Sequence, residues 1–413
     1  MRGFIISYFF VFCNVCFSQH FMPIQHDTLA HDHELILSGL GNYSGTSIRV
    51  DLARKLFYGG NIDQDLKDAT LLNHKGINRF GLNMNSEFEY RNFAVDFLKK
   101  ENLGFLIKGG AYSYFDVLYP KGVYDLAFYG NAQFGGESIS LSGTRANAYF
   151  FQKIGFGIIN TSKTAGAYQS SISLNLVNLS NYASLSVSSG EMYQSSNFDT
   201  VSIGANAKSY LLNSPSFFNG LGACVDADFR IPVLTPKDDT IYFQFQINNL
   251  GFAVTNNQVS KYETDKSLVY SGIDVSNAIN NGGITNNGFS ILDSIGVEES
   301  QVQKMVLLPG FLQISKLIDE SSSKTIEEFY GVRMFFSAAY NPLAFAGLNF
   351  KLGKGFNLGG SISYGGLSTF RGGMYTSYTR KNLSIGVSTE NLSGIFFNNA
   401  KGESIIFRLR CAF

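Results

Sequence analysis

Ser321-Ser322-Ser323-Lys324 has the Ser-x-x-Lys spacing in which a lysine amine takes a proton from a serine hydroxyl. It lies in a polar, acidic stretch without the companion motifs of such acyl-transfer sites, and reads as a turn. A serine–histidine pair is no better supported, because all 5 histidines lie at or before His74. His20, His26, His31 and His33 crowd one polar stretch near the N-terminus. His31 and His33, beside Asp32 and Glu34, could offer imidazole and carboxylate to zinc or copper. Ligands two apart in an extended segment do not fix a coordination shell, so no metal and no cofactor is assigned. No phosphate loop, nucleophile elbow or metalloprotease helix occurs. The chain is expected not to be an enzyme.

A second set of chemistry-bearing residues lies inside alternating segments: Glu87, Glu89, Asp226, Asp228, Arg230, Arg408 and Arg410. Successive side chains of a strand point to opposite faces. In Leu221 to Ile231 the face with Asp226, Asp228 and Arg230 opposes Val225, Ala227, Phe229 and Ile231. In Ser404 to Phe413, Arg408 and Arg410 oppose Ile405, Phe407, Leu409, Cys411 and Phe413. A charge facing lipid near the midplane costs about 2–4 kcal/mol, so these residues are expected to face a lumen. There they either pair as a salt-bridged filling or form a constriction that selects solutes by charge.

The elements that position them are strands. Charged residues are 15% of the chain and aromatics 15%, with Phe 38, Tyr 22 and Trp 0. Such a mixture suits strands with one greasy and one polar face, and any aromatic girdle must be built from Tyr and Phe. The formal charge of +0 gives no electrostatic case for nucleic acid. Arg2, the apolar run Phe4 to Phe17 and the Ser18–Gln19 junction read as a signal peptide over 1–18, shorter than the ~20 residues of a spanning helix. Residues 19–46 are expected to be a periplasmic segment, and 47–413 an outer-membrane barrel whose first extended run is Ser47 to Phe57. Tyr119 to Asn131 interrupts the strands with a short amphipathic helix. Residues 255–328, rich in Asn, Gly and acidic side chains, read as a long extramural loop or plug, with short helices at Val275 to Ile279 and Phe289 to Ile295. Segments of about 9–11 residues, the length a bilayer asks of tilted strands, return from Phe329 to the end. The expected fold is all-β: a transmembrane antiparallel up-and-down barrel of about 14 strands. Cys224 and Cys411, far apart, read as free thiols.

Gly130-Asn131 with Phe134-Gly135, then Gly220 to Arg230 leading into Gln246-Ile247-Asn248-Asn249-Leu250-Gly251-Phe252, and Tyr270-Ser271-Gly272-Ile273-Asp274 resemble a Bacteroidota family of outer-membrane β-barrels of unknown function. That family is loosely similar to FadL-like barrels and to barrels associated with type IX secretion. The C-terminal stretch resembles the assembly signal of such barrels, which places Phe407, Leu409 and Phe413 in that role. The resemblance implies outer-membrane lipids and the barrel-assembly machinery as partners, and supplies no catalytic residue. The expected function is passage or binding of a small solute, a hydrophobic one included. The alternative is a non-conducting scaffold for a secretion or gliding machinery, docking an envelope partner.

Overall fold

The computed structural model describes residues 24–25, 31–160, 169–212, 216–234, 240–256, 259–270, 298–319 and 322–413. The signal peptide and the two short helices expected at 275–279 and 289–295 lie outside the described residues.

The wall is a closed antiparallel barrel of 14 strands. In the first half they are β2 (His33–Gly45), β3 (Ile77–Asn92), β4 (Leu103–Pro120), β6 (Arg145–Asn160), β7 (Gln169–Gln194), β9 (Gly220–Leu234) and β10 (Thr240–Thr255). The second half holds β14 (Phe311–Asp319), β15 (Ile326–Phe335), β16 (Asn341–Gly353), β17 (Phe356–Gly366), β18 (Phe370–Arg380), β19 (Leu383–Thr389) and β20 (Gly402–Ala412). β20 closes the circle on β2 from Glu34↔Ala412 to Ser44↔Gly402. A two-residue β1 (Ile24–Gln25) lies parallel to the end of β14.

Alternation decides which face is which. Ser361 and Ser363 are buried while Ile362 and Tyr364 are exposed; Ser404 is 2% exposed and Ile405 64%. Leu174, Leu176, Ile314, Val332, Met334 and Leu348 add to the same outer belt. Ion pairs and amides fill the inside. An exterior this apolar around an interior this charged is stable in hydrocarbon and not in water.

The connections are unequal. At the end that holds His33 and Phe413, short turns such as Gly353-Lys354-Gly355 join the strands, with φ of 85°, 52° and 81°. At the opposite, loop end, β7 runs past the wall and builds a projecting sheet with β5 (Ser138–Ser140), β8 (Val201–Leu212), β11 (Val259–Tyr270) and β12 (Glu298–Val302). Also there, β13 (Met305–Leu307) pairs with the top of β10. A helical cap forms from α1 (Val50–Tyr58), α2 (Gln64–Leu71) and α3 (Lys121–Tyr129), and α4 (Leu392–Phe396) sits between β19 and β20. Leu52, Ala53, Leu66, Tyr119 and Tyr124 form the buried core of the cap.

Three sequence expectations are corrected. Residues 19–46 are not all periplasmic, because His33–Gly45 is the first wall strand; Ile36 and Leu40 on its inner face blur the alternation. Ser47 to Phe57 is not extended: Val50–Tyr58 is helical, burying Val50, Leu52 and Ala53 against the mouth, with Asp51 in its first turn. Residues 255–328 are not one insert, because β14 lies within them as a wall strand paired to both β10 and β15. The Tyr119 to Asn131 helix is present as α3, at the mouth.

Candidate functional site: the ion-paired interior and the β2–β3 seam

Among the described residues, three of the buried polar groups in the interior join several strands each. At the end holding the termini, Glu34 accepts from Arg91 Nη1 at 3.0 Å and from Arg410 Nε, and Arg91 Nε donates to Glu89 Oε1 at 2.5 Å. From the opposite wall, Arg230 pairs with Asp228 at 2.8 Å, and Gln244 Nε2 donates to the same carboxylate at 2.8 Å. Arg408 belongs to this group, feeling the charges of Arg230, Arg91, Glu34 and Arg410, and its Nε has no hydrogen-bond partner.

The second group centres on Asp226, 3% exposed, which accepts from Lys108 at 2.6 Å and from Lys153 at 2.7 Å. Lys153 also donates to the side-chain oxygens of Asn248 and Asn249 at 3.0 and 2.6 Å. A bulge explains why two consecutive asparagines reach one ammonium. The β9–β10 register shifts between Ile247 and Leu250, and Asn249 takes φ 55°, a conformation asparagine tolerates. Asn249 N–H then donates to Asp226 Oδ1 at 2.7 Å.

The third group joins β14, β15, β18 and the end of β19. Arg333 donates to Gln313 Oε1 at 2.7 Å and to Glu390 Oε1 at 3.1 Å, while Arg371 stands 3.6 Å from Glu390 Oε2. Beside it lies a cavity of about 20 Å³, lined by Leu40, Asn42, Ser44, Asn83, Tyr114 and Arg371 among others. A second of about 10 Å³ shares Asn83, Tyr114 and Phe335 with it and adds Tyr112, Phe151 and Phe311. Each has room for a water molecule or two.

The wall in front of these cavities is continuous, its strands lying side by side, but it is laddered only at its ends. β2 and β3 lie in register but pair only at their ends, His33 with Asn92 and Gly45 with Phe80. Residues 34–44 and 81–91 between them make no ladder with each other, whereas β3 pairs with β4 without a break from Ile77↔Pro120 to Asn92↔Phe105. Leu40, Asn42 and Ser44 on one side of the seam and Asn83 on the other line the first cavity. This stretch of wall, crossed at its lower end by the Glu34–Arg91 ion pair, lies between that cavity and the outer belt.

The helical cap roofs the seam, since the 46–76 connection leaves β2 and enters β3. Tyr43 Oη donates to Ile48 O at 3.0 Å, and Val50 N–H to Ala400 O at 2.7 Å. His74 holds the cap inside: Nδ1 lies 3.0 Å from Thr70 O, so it carries the proton, and Nε2 accepts from Tyr119 Oη at 2.9 Å. Tyr119 Oη in turn lies 3.0 Å from Ser47 Oγ. Burial holds the His74 imidazole below its usual basicity.

Of the sequence-predicted residues, Glu89, Arg408 and Arg410 meet in the first group with Asp228 and Arg230. Asp226 sits apart in the second. Glu87 accepts from Tyr112 Oη at 2.9 Å and joins neither. Phe407 and Leu409 point to the outer face; Phe413 closes the barrel through backbone hydrogen bonds with His33 at 2.9 and 3.0 Å. Sequence reasoning missed Glu34, Arg91, Lys108, Lys153, Arg333, Arg371 and Glu390. Parity was the available signal, since Lys108 and Lys153 each sit among apolar and glycine neighbours in a strand. What parity lacks is the register that brings β4, β6 and β9 together.

No family model matches the sequence, and no curated protein is similar to it. Among solved structures, the toluene transporter TodX of P. putida is similar at 10% identity and a TM-score of 0.41, covering 94% of this chain and 91% of that one. The translocator domain of the autotransporter NalP from Neisseria meningitidis has 10% identity and a TM-score of 0.31, covering 92% and 88%. The Ralstonia pickettii toluene transporter TbuX has 9% identity and a TM-score of 0.30, covering 93% and 90%.

Proposed function

We propose that the chain is an outer-membrane barrel that passes a small hydrophobic solute between its interior and the bilayer, sideways through the β2–β3 seam, and that the structure is its closed state. The seam carries this reading. In hydrocarbon each unsatisfied backbone group costs several kcal/mol, so a wall meant only to seal would be laddered throughout. The aromatic rings of Tyr114, Phe335 and Tyr340 behind the seam suit an apolar solute, and a wall laddered only at its two ends can part above the Glu34–Arg91 pair that crosses it near the lower one. Outer-membrane lipids and the barrel-assembly machinery are the partners this reading requires.

The test is to pin the seam. Leu37→Cys with Phe88→Cys, matched by the register of the end pairs, in a Cys411→Ser background, is oxidised in liposomes while uptake of a small neutral aromatic is followed. Uptake should stop on oxidation and return on reduction. Equal uptake in both states refutes lateral passage. A scaffold is the second reading, and the ion-paired interior favours it: absence of uptake by the wild-type chain under every condition would select it.

A further inference from the structure

The helical cap rests on the outside of the wall. Asn42 and Ser44 of β2, Asn83 of β3 and Tyr114 of β4 line the interior cavity, so side chains of the opposite parity along these strands point outward. Those are the ones the cap covers: Tyr43, Phe80, Leu82, Val117 and Tyr119 pack with its core. The registers of β2 with β20 and of β3 with β4 run through these positions without a shift, so the parity holds. Ile405, opposite Gly41 and on the same face as Tyr43, is 64% exposed in the outer belt just beneath the cap.

The apolar stripe of α1 outruns that contact. Leu56 and Phe57 stand one turn on from Leu52 and Ala53, on the same side of the helix, yet both are exposed, as is Tyr58. The segment around α4 adds Ile395, Phe396 and Phe397, all exposed, Phe396 at 70%. The two pieces are tied together. Val50 N–H donates to Ala400 O at 2.7 Å, Asp51 N–H to Asn398 O at 3.1 Å, and Arg54 pairs with Glu403 at 2.7 Å. An apolar patch of this size, continuous with a lipid-facing belt, marks a contact with something other than water.

We infer that the α1–α4 patch is a lipid-binding lip, its apolar side chains set among acyl chains near the headgroup boundary of the leaflet at the loop end. Interfacial helices seat in this way, apolar stripe inward and charges toward the headgroups. Arg54 and Lys55 bring their own counter-charges, Glu403 at 2.7 Å and Asp63 at 3.4 Å. The lip therefore needs no anionic headgroup, and what it binds is hydrocarbon chain. Phe57, Phe396 and Phe397 supply part of the aromatic girdle that a chain with Trp 0 builds from Phe and Tyr. The inference rests on the barrel's place in a membrane and not on passage through the seam.

With Trp 0 in the chain, each introduced tryptophan is the sole one. Leu56→Trp and Phe396→Trp are reconstituted in phosphatidylcholine vesicles beside two references, Ile362→Trp on the outer belt and Val269→Trp on the projecting sheet. Brominated acyl chains should quench both lip tryptophans and Ile362→Trp, all three with blue-shifted emission, whereas aqueous iodide should quench Val269→Trp alone. Replacing part of the phosphatidylcholine with phosphatidylglycerol should change nothing. Tyr58→Trp, at the exposed end of α1, stands in for Leu56→Trp if that variant does not fold. The inference is overturned if either lip tryptophan follows Val269→Trp. It is equally overturned if neither quencher reaches them, as when a second copy covers the patch, or if bromine quenches only with phosphatidylglycerol present. Uptake of a neutral aromatic reads the seam separately, so each idea can fail alone.

Discussion

Glu34 is the residue on which the first interior group turns, and replacing it by Gln tests whether that group stabilises the barrel. Its carboxylate is 1% exposed and meets two guanidiniums, Arg91 at 3.0 Å and Arg410 closer still. At an effective dielectric near 20, each contact at about 3 Å has a Coulomb energy of about 5 kcal/mol. Desolvating three buried ions removes much of that gain, which is why the intact group is a modest net stabiliser. Losing the carboxylate alone is different. Arg91, Arg408 and Arg410 would then share Glu89 at their own wall, with Asp228 already committed to Arg230 and Gln244. Removing one partner of a buried pair costs about 3–5 kcal/mol, and that is the expected loss for Glu34→Gln. The assay is urea unfolding of the detergent-folded protein, read by strand circular dichroism and by gel mobility of heated and unheated samples. Adding Arg410→Met to Glu34→Gln should recover part of the loss, since it removes one of the positive charges that the Glu34 carboxylate had balanced. A Glu34→Gln loss below about 1 kcal/mol, or an Arg410→Met cost identical in both backgrounds, refutes this account.

Two further predictions concern the ends of the barrel. His74 has a folded basicity below its ordinary value of about 6.5, so the unfolded cap binds more protons; its contribution is complete above pH 6.5 and declines as pH falls below it. Hydrogen exchange of residues 50–71 should therefore lose protection between pH 7.5 and 5, and His74→Gln should flatten that dependence. At the opposite end, Gly355 has φ 81° and a Cβ there would stand 1.8 Å from Thr379 O, whereas Gly353 has φ 85° and open space around it. Gly355→Ala should cost clearly more than Gly353→Ala, whose expected loss is about 1–2 kcal/mol from the left-handed backbone alone; equal unfolding midpoints would contradict the geometry.

Period-two chemistry made the barrel legible, because half of each wall strand must answer to lipid and half to the interior. It worked best from β15 onward, where short turns leave little but strand, and it assigned the inner face of β9 and β20 from charge alone. It failed where a second demand overrode alternation. β2 carries Ile36 and Leu40 inward, Leu40 clustering with Phe329 and Tyr375, so both its faces read as apolar. Val50–Tyr58 looked extended because its apolar residues serve a helical stripe against the cap. β14 hid in a polar stretch, its inner face being Gln313 and Ser315 and its outer face holding Lys316 paired to Glu328 at 2.5 Å. The candidate site was less legible than the wall. Which charges meet depends on barrel closure, and closure puts Arg408 of the last strand across the lumen from Arg230 of β9. No spacing along the chain encodes that. The seam was invisible for a plainer reason: a missing ladder leaves no mark on side-chain pattern.

The interior and the seam together fix which motion is cheapest. Opening the barrel along its axis means separating Glu34 from Arg91 and Arg410, Asp226 from Lys108 and Lys153, and Glu390 from Arg333. At about 3–5 kcal/mol for each buried charge left alone, three such groups place an axial pore beyond what the binding of a small neutral solute supplies, given a ceiling near 1.5 kcal/mol per heavy atom that few ligands approach. Parting β2 from β3 between its end pairs breaks one of those contacts, the Glu34–Arg91 pair that crosses the seam just above its lower bridge, and leaves the Asp226 group and the Arg333–Glu390 pair in place. What resists there is two bridges, the Glu34–Arg91 pair and the cap above them, and the cap hangs on Tyr43, Val50 and His74. A solute that enters this barrel from lipid is therefore expected to do so through the seam above the Glu34–Arg91 pair, with the Asp226 group acting as a floor that stays in place.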